Sequence, residues 1–291
     1  MSIVLPKPQM LEIAGADAVA FAHAQFCNDV IALARGHWQW NAWLSAQGRV
    51  RYFFMLLRDV DDRVRLLLRG GDAQDMCAEL TRFVFRAKVS LSAVTGVQAL
   101  GCDAGEAQAA LGALPDNTEV VIHGDNIGLR LRGPQPRWLS LSVRQSTDTP
   151  AASDEALNRW YLDDIRAGLP FLAPALHDQL LPQWLGLGRL GAINVGKGCY
   201  PGPEIMARLH FKGGNKRGLY RIQFDCAALP APGAPLFATD ATTEGGNIVM
   251  TAWAAGTRAE ALVSLTDAAA AGPLRSDAAT VAGIKVISGF A

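Results

Sequence analysis

Nineteen residues, GLGRLGAINVGKGCYPGPE from Gly186 to Glu204, contain six glycines and two prolines. Neither a regular helix nor a central strand survives that density, because glycine raises the cost of ordering and proline removes a backbone donor. The chain must therefore pass through a long irregular connection late in its length. Two phosphate-binding patterns are partly present in it. Gly186, Gly188 and Gly191 fit G-x-G-x-x-G, but that motif must follow a strand and open a helix. Here LLPQWL, with Pro182, precedes it, and AINVGKGCYPGP follows it. Gly191, Gly196 and Lys197 fit the front of a P-loop, but Gly198 stands where the Mg²⁺-binding Ser/Thr is needed, and Pro201 and Pro203 block an immediate helix. Both nucleotide readings fail on context.

The same stretch suits the presentation of a thiol. Pro203 is well placed as the first residue of a helix. Glu204 and Arg208 form an i, i+4 pair on it, and Ile205, Met206 and Leu209 supply its apolar face. Cys199 would precede the helix N-terminus and follow Lys197 by two residues, and both features favour thiolate. A buried, inert cysteine fits the residues equally well.

The totals bound the class. The 291 residues allow two domains, or one domain with a companion. Lys+Arg and Asp+Glu both number 27, so no basic excess points to nucleic acid. MSIVLPKPQMLEIAGAD lacks the basic and apolar regions of a signal peptide, and no 18-residue apolar run suggests a membrane span. Five scattered cysteines without C-x-x-C or zinc spacing are expected to be reduced thiols in a cytoplasmic protein that binds no metal by itself.

Patterning predicts an α+β chain. Strands are expected at 11–13, 37–45, 49–57, 64–68, 88–94, 97–100, 119–123, 127–131 and 137–143. Helices are expected at 17–26, at 73–85 behind an Asp72 cap, and at 106–114 up to Pro115. Ala46–Gly48 reads as a hairpin turn, with Trp38, Trp40 and Trp43 on the strand before it as sheet packing. QSTDTPAASDE (145–155) reads as a loop, with Ser153 capping a helix that carries Leu157, Trp160 and Tyr161 and ends at Gly168 and Pro170. Beyond Lys216, short strands between Gly, Pro and Ala turns suit a small β-barrel.

Lys197, Gly198, Cys199, Tyr200, Gly202 and Glu204, with Ala207 and Arg208 after them, resemble the K-G-C-Y-x-G-Q-E…A-R signature of the YgfZ family. Further likeness lies in IAGADAVAFAHAQFCND, AQGRV (46–50), FVFRAKV (83–89), IRAGLP (165–170), LPQWLGLGRLGAINV, and Gly213, Asn215, Lys216 and Arg217. It spans nearly the whole chain. Two departures are Pro203, where the family has Gln, and Pro8, where some members have a folate-associated tryptophan; the second such tryptophan aligns with Trp160.

The resemblance implies two ferredoxin-like units plus a C-terminal β-barrel, arranged as a ring around a central folate cavity. Residues 1–212 would form the folate-binding region of two interleaved subdomains, and 213–291 the barrel. It implies tetrahydrofolate as ligand, a role in iron–sulfur cluster assembly or repair, a connection to tRNA modification, and iron–sulfur client or assembly proteins as partners. No direct nucleic acid and no membrane are expected. Cys199 would be the key thiol, reacting with a one-carbon unit or ligating a cluster or metal, although clusters normally take four ligands. Lys197 is either surface charge, a tuner of Cys199 or a partner for a folate carboxylate. Tyr200 suits packing. Glu204 and Arg208 are either a helix pair or, through Arg208, a fork for folate's glutamate tail. Trp160 is either a core anchor or a stacking face for folate. Lys212, Lys216 and Arg217 form a local basic patch. The competing activities are an aminomethyl transferase, against which the missing acidic residue before Tyr200 counts, and a non-catalytic scaffold.

Overall fold

The computed structural model describes residues 2–124, 126–131, 133, 136–143, 152–239, 244–277 and 281–290. Most of the loop expected at 145–155 lies outside them. The described chain is built on three antiparallel sheets and forms two compact units. The first comprises 1–43, 52–157 and 192–201, and the second 44–51, 158–191 and 202–291.

The largest apolar cluster lies under the sheet of β2 (Met10–Ala14), β3 (His37–Leu44), β4 (Val50–Arg58), β5 (Val64–Leu68) and β6 (Ser90–Val94), ordered β3-β4-β5-β2-β6. Inward positions two residues apart, such as Leu11 and Ile13 or Phe54 and Leu56, are fully buried. They pack with Phe21 and Ala22 of α1 (Ala18–Gln25) and Met76 and Leu80 of α2 (Ala73–Thr81). The three tryptophans are indeed sheet packing. Trp38 and Trp40 meet edge-on at 5.2 Å and Trp40 stacks on Phe53 at 5.0 Å, while Trp43 belongs to the helix-side cluster and stacks on Tyr52.

Asp72 caps α2 as expected, accepting from the Gln74 and Asp75 amides. The helix stops at Thr81, not 85. The amides of Phe83 and Val84 bond the carbonyls of Leu80 and Thr81, three residues back, so the last turn tightens and unwinds.

The second sheet orders β1 (Ile3–Leu5), β7 (Gln98–Cys102), β8 (Val121–His123), β9 (Asn126–Leu131) and β10 (Arg137–Ser142) as β1-β7-β10-β9-β8. It is backed by α3 (Ala104–Leu111), which begins earlier and ends sooner than 106–114. A capping box between Asp103 and Glu106 starts it, and Gly112, at φ 70°, ends it before Pro115 is reached.

The second unit carries α4 (Asp154–Ala167) from Asn158 onward and α5 (Pro203–Lys212). Its sheet holds β11 (Arg217–Cys226), β12 (Pro235–Ala238), β13 (Glu244–Ala255), β14 (Arg258–Thr266), β15 (Leu274–Ser276) and β16 (Val281–Phe290), with α6 (Asp267–Ala270) after β14. The order is β15-β12-β13-β14-β11-β16, and register shifts bend β11–β16, β12–β13 and β13–β14 into a curled sheet over its own apolar cluster. No described helix is long and apolar enough to cross a membrane.

Candidate functional site

The connection from Gly186 to Gly202 is irregular throughout, as its glycines require. Gly186, Gly191, Gly198 and Gly202 all have positive φ. The Asn194 side chain accepts from the Gly196 amide at 2.9 Å, and the Asn194 amide donates to the Cys27 carbonyl at 3.0 Å. No helix follows Gly196–Lys197 until Pro203, which leaves no phosphate-binding terminus where a P-loop needs one.

Within the first unit this connection places Lys197, Cys199 and Tyr200 side by side in sequence but in unlike settings. Cys199 is exposed, whereas Cys27, Cys77, Cys102 and Cys226 are buried. Tyr200 is buried at 7% exposure. Lys197 turns its ammonium inward, donating to the His23 carbonyl and lying 5.1 Å from the Tyr200 ring centre. Burial holds its pKa down, to about 8, against the opposing pull of Cys27 and Asp29.

Three neighbours of that ammonium carry no signal in the sequence. His23 lies in the last turn of α1, its Nδ1 3.3 Å from Asp29, and its pKa is lowered by burial and then by Lys197. Cys27 is fully buried, its thiol facing Asn41 Oδ1 at 3.8 Å and the Ala192 carbonyl at 3.4 Å, and burial pushes it up to about 12. The cluster lies within or just beside the stretch IAGADAVAFAHAQFCND, whose family likeness singled out none of these residues. Among the described residues no group of His, Cys, Asp and Glu could hold a metal.

The remaining expected site residues belong to the second unit. Trp160 lies on the inner face of α4 and is 3% exposed. The Ser153 hydroxyl accepts from the Ala156 amide at the start of that helix, and Gly168, at φ 65°, ends it. Two contacts fix α4 to the curled sheet. Asn158 makes two 2.8 Å hydrogen bonds to the Trp253 backbone, and Arg166 pairs with the buried Glu260 at 2.9 Å. Pro203 opens α5 as expected, and Glu204 and Arg208 are exposed on it. Of the basic patch, Lys216 is exposed and Arg217 half-buried; the Lys212 side chain lies outside the described residues.

Comparison with known proteins identifies the family and the fold. The chain is 30% identical over 232 residues to the tRNA-modifying protein YgfZ of Edwardsiella ictaluri, covering 76% of this chain and 70% of that one. It is 30% identical over 235 residues to the protein of the same name from Shigella boydii, covering 77% and 72%. The chain belongs to the YgfZ family. No protein-family model matches it. The glycine cleavage system aminomethyltransferase T of Bartonella henselae has the same fold, with a TM-score of 0.67 over 92% of this chain and 78% of that one, at 16% identity.

The YgfZ signature thus divides physically. Lys197 and Tyr200 point into the protein, Cys199 is presented to solvent, and Gly202 supplies the left-handed residue before α5.

Proposed function

We propose that this protein binds tetrahydrofolate and supports assembly or repair of iron–sulfur clusters in client enzymes, with Cys199 as its key thiol. The exposure of Cys199 alone among five cysteines, within the family signature, carries the reading. A thiol that reacts or ligates must be reachable, and structural cysteines are not. The name shared by the curated relatives supports a role in tRNA modification; in this proposal that role runs through clients that carry clusters, without direct contact with RNA.

The residues offer folate partial support. Arg208 is an exposed fork suited to a carboxylate, and Glu204 can accept from ring N–H groups. Trp160 is too covered to offer a whole ring face, so its part would be an edge or the support of neighbouring groups. Lys197 would act from its inward position, and Tyr200 as the ring that holds it. The division into 1–212 and 213–291, the ferredoxin-like subdomains and their ring around folate belong to this same proposal and rest on family likeness; the cytoplasmic location belongs to it too and rests on the scattered cysteines. An aminomethyl transferase is favoured only by the fold of its structural neighbour.

Calorimetric titration with tetrahydrofolate, together with complementation of a deletion strain by the parent and by Cys199→Ser, tests the proposal. Saturable folate binding and failure of Cys199→Ser to restore cluster-enzyme activity are expected. Full rescue by Cys199→Ser would remove the thiol from the function, and absence of folate binding would leave the scaffold reading. Methylenetetrahydrofolate formed from a methylamine donor, undiminished in Cys199→Ser, would establish the transferase instead.

A further inference from the structure

Cys27 lies between β3 and the loop that carries Cys199, and its amide, carbonyl and thiol are all in use. The amide donates to the Ala42 carbonyl at 3.0 Å, which ties Cys27 to β3. The other two groups reach the loop. The carbonyl accepts from the Asn194 amide at 3.0 Å, and the thiol faces the Ala192 carbonyl at 3.4 Å. Asn41 Oδ1 is farther from the thiol, at 3.8 Å, and already accepts from the Asn28 and Ala42 amides, both at 2.9 Å. The single S–H proton therefore goes to Ala192. Cys27, Asn41 and Ala192 are fully buried, so bulk water does not reach that carbonyl. Among the described residues nothing else donates to it. A buried carbonyl left without a donor is costly.

The loop needs such ties. A Cβ at Gly191 or Gly198 would meet nothing within 4 Å, so little packs around either residue. Glycine-rich chain of this kind is costly to hold in one conformation. The anchors before Cys199 are Ala192 and Asn194 on Cys27, then Lys197 on the His23 carbonyl. Tyr200 is buried directly after it. With Lys197 and Tyr200 turned inward on either side, Cys199 is left exposed at the crest.

We propose that Cys27 is a positioning residue for Cys199: its buried thiol and carbonyl clamp the loop and so fix where the exposed thiol is presented. This rests on the reading of Cys199 as the working thiol. A reacting group gains from being held, and a shift of about 1 Å is enough to cost about a hundredfold in rate. Cys27 does no chemistry itself, because it is fully buried and its thiol stays protonated at neutral pH. Substitution separates its two loop bonds. The backbone carbonyl survives in any variant. The thiol donor is lost in alanine and valine and replaced by a hydroxyl donor in serine.

The test compares Cys27→Ser, Cys27→Ala and Cys27→Val in the full chain. Amide hydrogen exchange reads the loop, and an NMR titration of the Lys197 ammonium reads its next anchor. In the alanine and valine variants the Asn194 and Gly196 amides should exchange about tenfold faster, the scale of one lost hydrogen bond to a buried group. The β4 amides should keep their parent rates. The Lys197 midpoint should rise from about 8 toward its ordinary 10.5 as the loosened loop admits water. Cys27→Ser keeps a donor and should match the parent in both readouts. Complementation, read as cluster-enzyme activity, should fall several-fold with Cys27→Val and return with Cys27→Ser. Where Cys27→Ala loses its melting transition, Cys27→Val, which fills the space, carries the comparison. Parent-like exchange and Lys197 titration in folded Cys27→Val would overturn the clamp. Loosening by Cys27→Ser as large as by Cys27→Val would assign the effect to packing and overturn it too. A loosened loop with undiminished complementation would overturn the positioning of Cys199. Exchange and titration do not depend on what Cys199 does, so failure of the clamp is distinct from failure of the thiol reading, which Cys199→Ser reports.

Discussion

Gly202 and Gly48 meet backbone to backbone. A Cβ on Gly202 would lie 2.7 Å from the Cα of Gly48 and still closer to the Ser45 carbonyl; one on Gly48 would lie 3.2 Å from the Gly202 carbonyl and 3.2 Å from Ile205 Cβ. Both residues have positive φ, at 74° and 71°. The hairpin turn and the start of α5 thus interlock through the absence of two side chains. Gly202→Ala combines a left-handed alanine with a backbone collision and is expected to cost about 2–5 kcal/mol. Gly48→Ala, with more room, should cost about 1–2 kcal/mol. Chemical denaturation gives both numbers, and the reverse ranking would contradict the interlock.

Asn158 and Trp253 make a second precise contact. The Asn158 amide both donates to and accepts from the Trp253 backbone, as a strand neighbour would. Asn158→Ala loses both bonds and leaves two backbone groups to find water, at a cost of about 1–3 kcal/mol. Asn158→Asp keeps the acceptor but sets an oxygen against the Trp253 carbonyl. It should therefore be no more stable than Asn158→Ala at neutral pH, and thermal melts of the two variants decide this.

Legibility in the sequence followed the range of the interactions. Apolar runs such as VRYFFMLL and the Asp72 cap are local; β4 begins within one residue of the place expected, and α2 begins at it. β1 is three residues long and exists through pairing with β7, which no local pattern announces. The loop around Cys199 was legible because glycine and proline act locally. The inward turn of Lys197 was not, because it depends on His23, Cys27 and Asp29, more than 160 residues away in the chain.

Lys197 gives a pH signature. Its native pKa is about 8 and its ordinary value 10.5. Between those values the unfolded chain binds more protons than the native one, so stability rises with pH across the window. Below pH 8 the native state bears the full cost of a half-buried ammonium. Lys197→Met has no such titration. The parent's melting temperature should therefore gain on that of Lys197→Met by about 2–4 °C between pH 7 and 10.5. A difference independent of pH over that range would show that the ammonium is better hydrated than its setting implies.

The five thiols should separate by reactivity. Cys199 is exposed, and the other four are buried. Cys27 has no exposure at all, and burial holds its pKa at about 12, so thiolate is scarce there at neutral pH. Alkylation of the native protein with iodoacetamide at pH 7.5, a condition of about one unit below an ordinary thiol pKa, should modify one cysteine in a fast phase. Peptide mass spectrometry should assign that phase to Cys199, and Cys199→Ser should abolish it. The remaining four should react only as the protein opens, with rates that rise together in denaturant, Cys27 last among them under mild conditions. A second fast thiol in the native protein would break the link between exposure and reactivity on which the role of Cys199 rests.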